Sequence, residues 1–348
     1  MSRGNFVDAN GNAYYNVDCI SGAQEFLEEG SVDLIITDPP YGINGDQLHK
    51  HYNRNESFVI DGYVEIPKQE YGAFSHAWIK EAARVLKPGG QIFIVSGYTN
   101  LYHVLDALRT TDLQEINHII WKYNFGVFTR TKFVSSHYHI LFYGKPGAKR
   151  MFNLECRYGT GESAAIAGSA NYQDREDVWI INREYKPGKE KNKNELPSAL
   201  LTKLIQYCSN EGDLVADFFM GGFSTARVAV GLNRRFIGFE LSERTFSSRL
   251  ETVKHLVPGA LLPDQRQPLL LPIRNQGLPW SAEETAQLSQ RYEEMMAAGN
   301  GKRESIDKLC VEFERGYWSV LKALKKSGTL ERPPARKAKG NELPLNIS

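Results

Sequence analysis

The sequence predicts an α/β fold, a doubly wound, mostly parallel sheet with a small all-helical C-terminal appendage. Three observations carry that expectation. Short β-branched and aromatic runs alternate with segments of helical apolar spacing from Val32 to Glu240. Sharp turn signals separate them. The composition then changes across a Pro-rich stretch at 258–279, beyond which the pattern is helical only.

Taken in order, Val32–Thr37 reads as a buried strand, stopped by Asp38-Pro-Pro-Tyr41. Phe74–Leu86 has helical spacing, Lys87-Pro-Gly-Gly90 ends it, and Gln91–Val95 is the next strand. A helix over Leu101–Leu108 precedes strand-like Ile116–Trp121 and Tyr138–Tyr143. Leu200–Cys208 is helical, Leu214–Phe219 a strand, Ser224–Leu232 a helix and Arg235–Glu240 a strand. The organisation expected is a core domain over 1–257, with a loop at 44–67 and an inserted polar, basic region at 124–197. A linker at 258–279, a helical module at 280–328 and a basic disordered tail at 329–348 complete it.

Composition bounds the function classes. The 348 residues carry 42 Lys+Arg against 41 Asp+Glu, so any affinity for a polyanion must come from local patches. No run approaches the roughly 18 apolar residues of a membrane span, and the first residues lack a signal-peptide core, so no membrane association is expected. Cys19, Cys156, Cys208 and Cys310 are far apart, which argues against a disulfide framework or a zinc site and for a reducing cytoplasm. The pairs His49/His51 and His137/His139 lack a third ligand at suitable spacing, so no metal is expected.

Two segments carry chemistry. In Asp217-Phe-Phe-Met-Gly-Gly-Phe-Ser-Thr225 a strand enters, two glycines turn and a helix leaves, the place where a doubly wound sheet meets a nucleotide-like ligand. Glu240 ends the next strand, where a carboxylate can accept from both hydroxyls of a ribose. The G-x-G-x-x-G spacing of dinucleotide enzymes is absent. Asp38-Pro-Pro-Tyr41 ends a buried strand. Its prolines fix φ and remove two N–H donors, so a carboxylate, an outward carbonyl and an aromatic face are held together. Those groups suit a planar aromatic amine, with two N–H bonds accepted and one ring stacked.

Asp38-Pro-Pro-Tyr41 followed far downstream by Asp217-x-Phe-x-Gly221 resembles the amino-methylating DNA methyltransferases, and the order of the two motifs resembles their β group. Ser31–Thr37, Arg84–Gly90, Trp121-Lys122, Asp177-Val-Trp179 and Phe236–Glu240 add to the likeness, which covers about residues 14–255. The resemblance implies a Rossmann-like fold, S-adenosyl-L-methionine as cofactor and an exocyclic nitrogen of a flipped base in double-stranded DNA as acceptor. It implies catalytic roles for Asp38, Pro39, Pro40 and Tyr41. It places Asp18, Cys19, Asp38, Pro197, Asp217, Phe219, Gly221, Gly222, Ser224, Thr225 and Glu240 about the cofactor. On the residues alone, Asp18 is also a helix N-cap.

Two departures stand out. Phe223 occupies the last Gly position of the family's Phe-x-Gly-x-Gly, and Leu196-Pro197 replaces a Lys-Pro. A carboxylate accepts from adenine N6 or cytosine N4 alike. The Asp at the first position, in the resembling families, goes mostly with adenine. The alternatives are a cytosine-N4 enzyme and, from another class, a non-catalytic DNA-binding regulator. A cognate restriction enzyme and a homodimer are left open as further partners.

Expected DNA contacts are Arg130, Lys132, Arg183 and Lys186 in the inserted region and Lys322 and Lys325 in the appendage. Ser281 with Glu284 forms a capping-box signature, and three short helices with a Gly turn read as a helix-turn-helix unit whose Trp280-x-x-x-Glu284 opening resembles Myb-like modules. A dimerising helical appendage is the competing reading. Arg315 and the basic residues to 339 make the end of the chain strongly cationic.

Overall fold

The computed structural model describes residues 4–42, 66–124, 130–131, 133–153, 176–182, 184, 195–265, 275 and 278–330. The chain divides into two compact units, 1–268 and 269–348.

The first unit is a mixed sheet covered by helices on both faces. Its strands are β1 (Asn5–Val7), β2 (Ala13–Tyr15), β3 (Val32–Thr37), β4 (Leu86–Ser96), β5 (Gln114–Lys122), β6 (His137–Gly144), β7 (Val178–Ile180), β8 (Leu214–Asp217) and β9 (Arg235–Phe239). They lie in the order β1-β2-β9-β8-β3-β4-β6-β5-β7. β2, β9, β8, β3 and β4 run parallel, while β6 is antiparallel to both β4 and β5. The helices are α1 (Cys19–Phe26), α2 (Tyr71–Val85), α3 (Leu101–Arg109), α4 (Ser198–Cys208), α5 (Ser224–Gly231) and α6 (Glu243–Leu250).

Each sheet face has its own core. Ile35, Ile92 and Leu141 pack with Ala23, Trp78, Ile79 and Val104 of α1–α3. Leu34, Phe93, Ile119 and Phe142 pack with Leu200, Leu204, Ile205, Ala226 and Val230 of α4 and α5. Burial on both faces explains why these strands read as continuous apolar runs instead of alternating ones.

α2 ends at Val85, where the Lys87-Pro-Gly-Gly90 signal predicts a stop, but that stretch is not a turn ahead of the next strand. It is a bulged stretch inside β4, where the register against β3 jumps from Leu86 to Gln91. Gly89 N–H donates to Lys145 C=O and Lys145 N–H to Gly90 C=O, so the backbone finds partners across β6 that local turn propensity does not anticipate. The Pro-rich stretch at 258–279 is not uniform. Gly259 and Leu261 N–H groups donate to Val230 and Gly231 C=O, and Leu261 and Leu262 pack on the first unit's core.

Among the described residues the second unit forms three helices, α7 (Ala282–Ala297), α8 (Lys302–Glu312) and α9 (Tyr317–Lys326), around Leu288, Tyr292, Ile306, Leu309, Val320 and Leu324. Ser281 and Glu284 complete the capping box. Arg315 is a correction to the sequence reading, because it belongs to the core and not to the cationic surface. It is 2% exposed, lies 4.2 Å from the Trp280 ring centre, and donates to Leu278 and Pro279 C=O and to both Glu284 oxygens. Arg315→Ala is expected to lower hydrogen-exchange protection across Ala282–Lys326 by about 2 kcal/mol, while Lys322→Ala stays within about 0.5 kcal/mol. Equal protection in the two variants would contradict this assignment.

Candidate active site

Strand connectivity brings the two chemical motifs together. β8 leads through α5 to β9 on one side, and β3 leads through α2 to β4 on the other. The winding reverses between β8 and β3, which pair directly at Leu34–Val215 and Ile35–Ala216. That reversal opens the crevice in which open α/β sheets bind ligands. Asp38 and Asp217 sit at the carboxyl ends of these adjacent strands. The Thr37 hydroxyl donates to Asp217 Oδ1 at 3.0 Å, 180 residues away in sequence.

Asp217 is buried among protein donors. Phe219 N–H reaches it at 3.0 Å, and the Thr225 hydroxyl also donates to it. Burial raises its pKa to about 6 against the opposing effect of these bonds. Asp217 therefore joins the strands and shapes the bend.

Past Asp217 the chain is sewn to β9. Met220 N–H donates to Phe239 C=O, and Gly221 N–H donates to Glu240 Oε2 at 2.9 Å. Ser242 N–H takes the other Glu240 oxygen at 2.8 Å. Burial raises the Glu240 pKa to about 7, opposed by those two bonds and helped by the Asp217 charge.

Gly222 has no room for a side chain, since a Cβ would fall 2.3 Å from Glu195 Oε1. Glu195 pairs with Arg227 at 2.8 Å, and Arg227 also donates to Gly222 C=O. Phe223, the substituted glycine, adopts the left-handed backbone a Gly would favour, with φ 60° and ψ 24°. Such a conformation costs a side-chain-bearing residue roughly 1–2 kcal/mol. Full burial of the ring against Tyr14 and Phe246 offsets this, at roughly 1.5–3 kcal/mol. Phe223 thus holds a glycine-like backbone with its ring in the core. Ser224 and Thr225 then start α5, both buried.

The Asp38-Pro-Pro-Tyr41 bend is held from outside. Tyr71 of α2 donates its hydroxyl to Pro40 C=O at 2.9 Å. The Asn100 amide donates to Tyr41 C=O at 2.6 Å and to Gly42 C=O at 3.2 Å. Gly42 has φ +61°, and a Cβ there would lie 2.4 Å from the Tyr71 ring. Among the described residues nothing donates to Pro39 C=O. Of the two proline carbonyls, Pro40's is taken by Tyr71. The Tyr41 hydroxyl donates to Asp38 Oδ1, and its ring stacks on Tyr138 at 5.5 Å, backed by Trp121 and Tyr123. Sequence reasoning missed Thr37, Tyr71, Asn100, Tyr138, Glu195 and Arg227. Only Thr37 carries a local signal, next to the motif.

The remaining expected residues divide. Asp18 caps α1, accepting from Ile20 and Ser21 N–H, and Cys19 is buried with its thiol pKa pushed well up by desolvation. Both follow β2 at the same sheet edge. Pro197 is the N-cap position of α4. Phe219 is half-buried, edge-on to Trp78 at 5.4 Å. Arg130 is exposed. Lys132, Arg183, Lys186, His49, His51 and most of the 44–67 loop lie outside the described residues. His139 lies on β6, 2.8 Å from His118, with its pKa lowered to about 4 by burial and by His118 and His137.

Comparison with known proteins follows the same geometry. The DNA methylase family (N6_N4_Mtase) matches residues 32–250. The chain is 31% identical over 224 residues to the type II methyltransferase M.HpaI of Haemophilus parainfluenzae, covering 62% of this chain and 66% of that protein. It shares its fold with the putative DNA modification methylase TTHA0409 of Thermus thermophilus complexed with S-adenosyl-L-methionine (TM-score 0.50, 22% identity, 70% of this chain and 93% of that one). PvuII DNA methyltransferase (cytosine-N4-specific) is a further fold match (TM-score 0.51, 16% identity, 70% of this chain and 86% of that one). With both family motifs seated at one strand reversal and the family matched across most of the first unit, the chain belongs to the amino-methylating (N6-adenine/N4-cytosine) DNA methyltransferases.

Proposed function

We propose that this chain transfers a methyl group from S-adenosyl-L-methionine to N6 of an adenine flipped out of double-stranded DNA. The observation that carries the reading is the placement of Asp38-Pro-Pro-Tyr41 and the 217–222 bend at neighbouring strand ends.

The residues at the bend fit the cofactor. Each Glu240 oxygen accepts one backbone N–H and keeps acceptor capacity for ribose hydroxyls. Gly221, with open space where a Cβ would stand, lets backbone approach a ligand closely, Gly222 makes room for Glu195 beside it, and Phe219 offers a half-buried apolar ring. Asp18, Cys19 and Pro197 would complete the pocket rim. The cofactor supplies an electrophilic sulfonium methyl.

The acceptor side is the work of the hairpin. An exocyclic amine is a weak nucleophile because its lone pair is delocalised into the ring. Asp38 and the Pro39 carbonyl accept its two N–H bonds, which favours a pyramidal nitrogen with its lone pair exposed. Tyr41, whose ring stacks on Tyr138, would supply the aromatic contact to the base. Tyr71 and Asn100 fix the neighbouring carbonyls, so the Pro39 oxygen and the Asp38 carboxylate hold one geometry before the base arrives. Methyl transfer would break the sulfur–methyl bond and leave a neutral thioether, and the extra proton on nitrogen then passes to the Asp38 carboxylate and on to solvent. Arg130, Lys132, Arg183 and Lys186 would meet phosphates or base edges.

The direct test is mass spectrometry of nucleosides from duplex DNA incubated with the chain and cofactor. N6-methyldeoxyadenosine is expected. N4-methyldeoxycytidine alone would sink the choice of base, and neither product would sink the function. Asp38→Ala should lose more than about 100-fold in turnover while leaving DNA affinity largely intact, and a variant retaining more than a few percent activity would count against the role of Asp38. Tyr71→Phe, which removes one hydroxyl from Pro40 C=O, should lower kcat roughly three- to tenfold with cofactor Kd unchanged. An unaltered kcat would show that this bond does not set the hairpin.

The two buried carboxylates also predict a pH signature. Folding raises the pKa values of Asp217 to about 6 and Glu240 to about 7. Their protonated forms therefore favour the folded chain, and that contribution is lost as pH rises from about 4 through about 7. Cofactor binding that uses ionised Glu240 runs the other way. Affinity measured by calorimetry should rise roughly tenfold from pH 6 to pH 8. Glu240→Gln should flatten that slope, and a flat wild-type profile would contradict it.

A further inference from the structure

Among its described residues the second unit carries a surface that the three-helix packing leaves unused. α9 turns Val320, Ala323 and Leu324 into the three-helix core. Trp318, Lys322 and Lys326 are spaced four residues apart and share the opposite face, with half-buried Lys325 beside them. Trp318 is 61% exposed, and among the described residues its one aromatic neighbour is Tyr317, edge-on at 5.6 Å. Packing gives no reason for a large indole in water at the head of a row of ammonium groups.

Charge selects the occupant. With Arg315 withdrawn into the core, residues 316–340 still hold Lys322, Lys325, Lys326, Arg332, Arg336, Lys337 and Lys339 against Glu331 alone. α7, by contrast, carries Glu283, Glu284, Glu293 and Glu294 against Arg291. One strongly cationic helix face headed by a flat aromatic suits a linear polyanion that also presents apolar edges.

We infer that the Trp318–Lys322–Lys326 face of α9 is a second DNA-contact surface, with the lysines on backbone phosphates and the indole against sugar and base edges. The proposed substrate enters this inference only in choosing duplex DNA as the polyanion. A second, tethered contact would raise the time the catalytic unit spends on DNA without new chemistry in its cleft.

The test uses the full chain and duplex DNA, with affinity measured by fluorescence anisotropy from 50 to 300 mM salt. Lys322→Gln with Lys326→Gln, both on exposed positions, should reduce the slope of log Kd against log salt by about 2. Trp318→Ala should weaken binding about fivefold at every salt concentration with the slope unchanged. Hydrogen exchange across α7–α9 checks that each variant keeps its helices. If the Lys pair unfolds the module, Lys322→Gln alone should still reduce the slope by about 1. Affinities and slopes equal to wild type would overturn the proposal. So would variants that change the sedimentation coefficient and leave DNA binding intact, since the face would then join two copies of the chain. Binding is read separately from methylation, so a chain that binds DNA through α9 but transfers no methyl would fail the proposed function and leave this surface standing.

Discussion

The site depends on one junction, the parallel pairing of β3 with β8, closed at its end by the hydrogen bond from Thr37 to Asp217. Everything chemical lies just past it. A strand pair cannot slip by one residue when both faces of both strands are buried, because every side chain would change face. The register therefore fixes Asp38 relative to the glycine bend with the rigidity of the core. The buried Asp217 carboxylate accepts donors from β3, from the bend and from α5, so the strand that leads into Asp38-Pro-Pro-Tyr41 and the 217–222 bend share one anchor.

Around that anchor the fold controls which polar groups remain available. A hairpin with two consecutive prolines exposes carbonyls that the sheet cannot use. Side chains of α2 and the β4–α3 connection claim those of Pro40, Tyr41 and Gly42, and the Pro39 oxygen is left beside Asp38. Selection by elimination gives directionality without adding a charge. Glu240 shows the same economy, since two backbone donors orient it, one on each carboxylate oxygen.

The departures from the family pattern have local explanations. Phe223 keeps a glycine-like backbone because its ring completes the core between Tyr14 and Phe246. Glu195, just before Leu196-Pro197, covers Gly222 and pairs with Arg227 of α5, which ties the segment before α4 to the bend. Arg315 shows the opposite lesson. In sequence it belongs to a basic run, yet it is the charged residue that the small module buries, over Trp280 and against Glu284.

The sequence by itself determined the parts whose causes are local. The fold class and most elements followed from apolar periodicity, the caps from Asp18 and from Ser281 with Glu284, and the two motifs from residue types whose chemistry is carried within a few positions. The family was legible too, through motif identity and order. Tertiary structure alone decided what depends on distant partners. These include the antiparallel insertion of β6, the continuation of β4 through Lys87-Pro-Gly-Gly90, the roles of Tyr71, Asn100 and Tyr138, and the burial of Arg315. Hydrogen bonds between groups tens to hundreds of residues apart leave no periodicity to read. Only the packed sheet brings their donors and acceptors within 3 Å of one another.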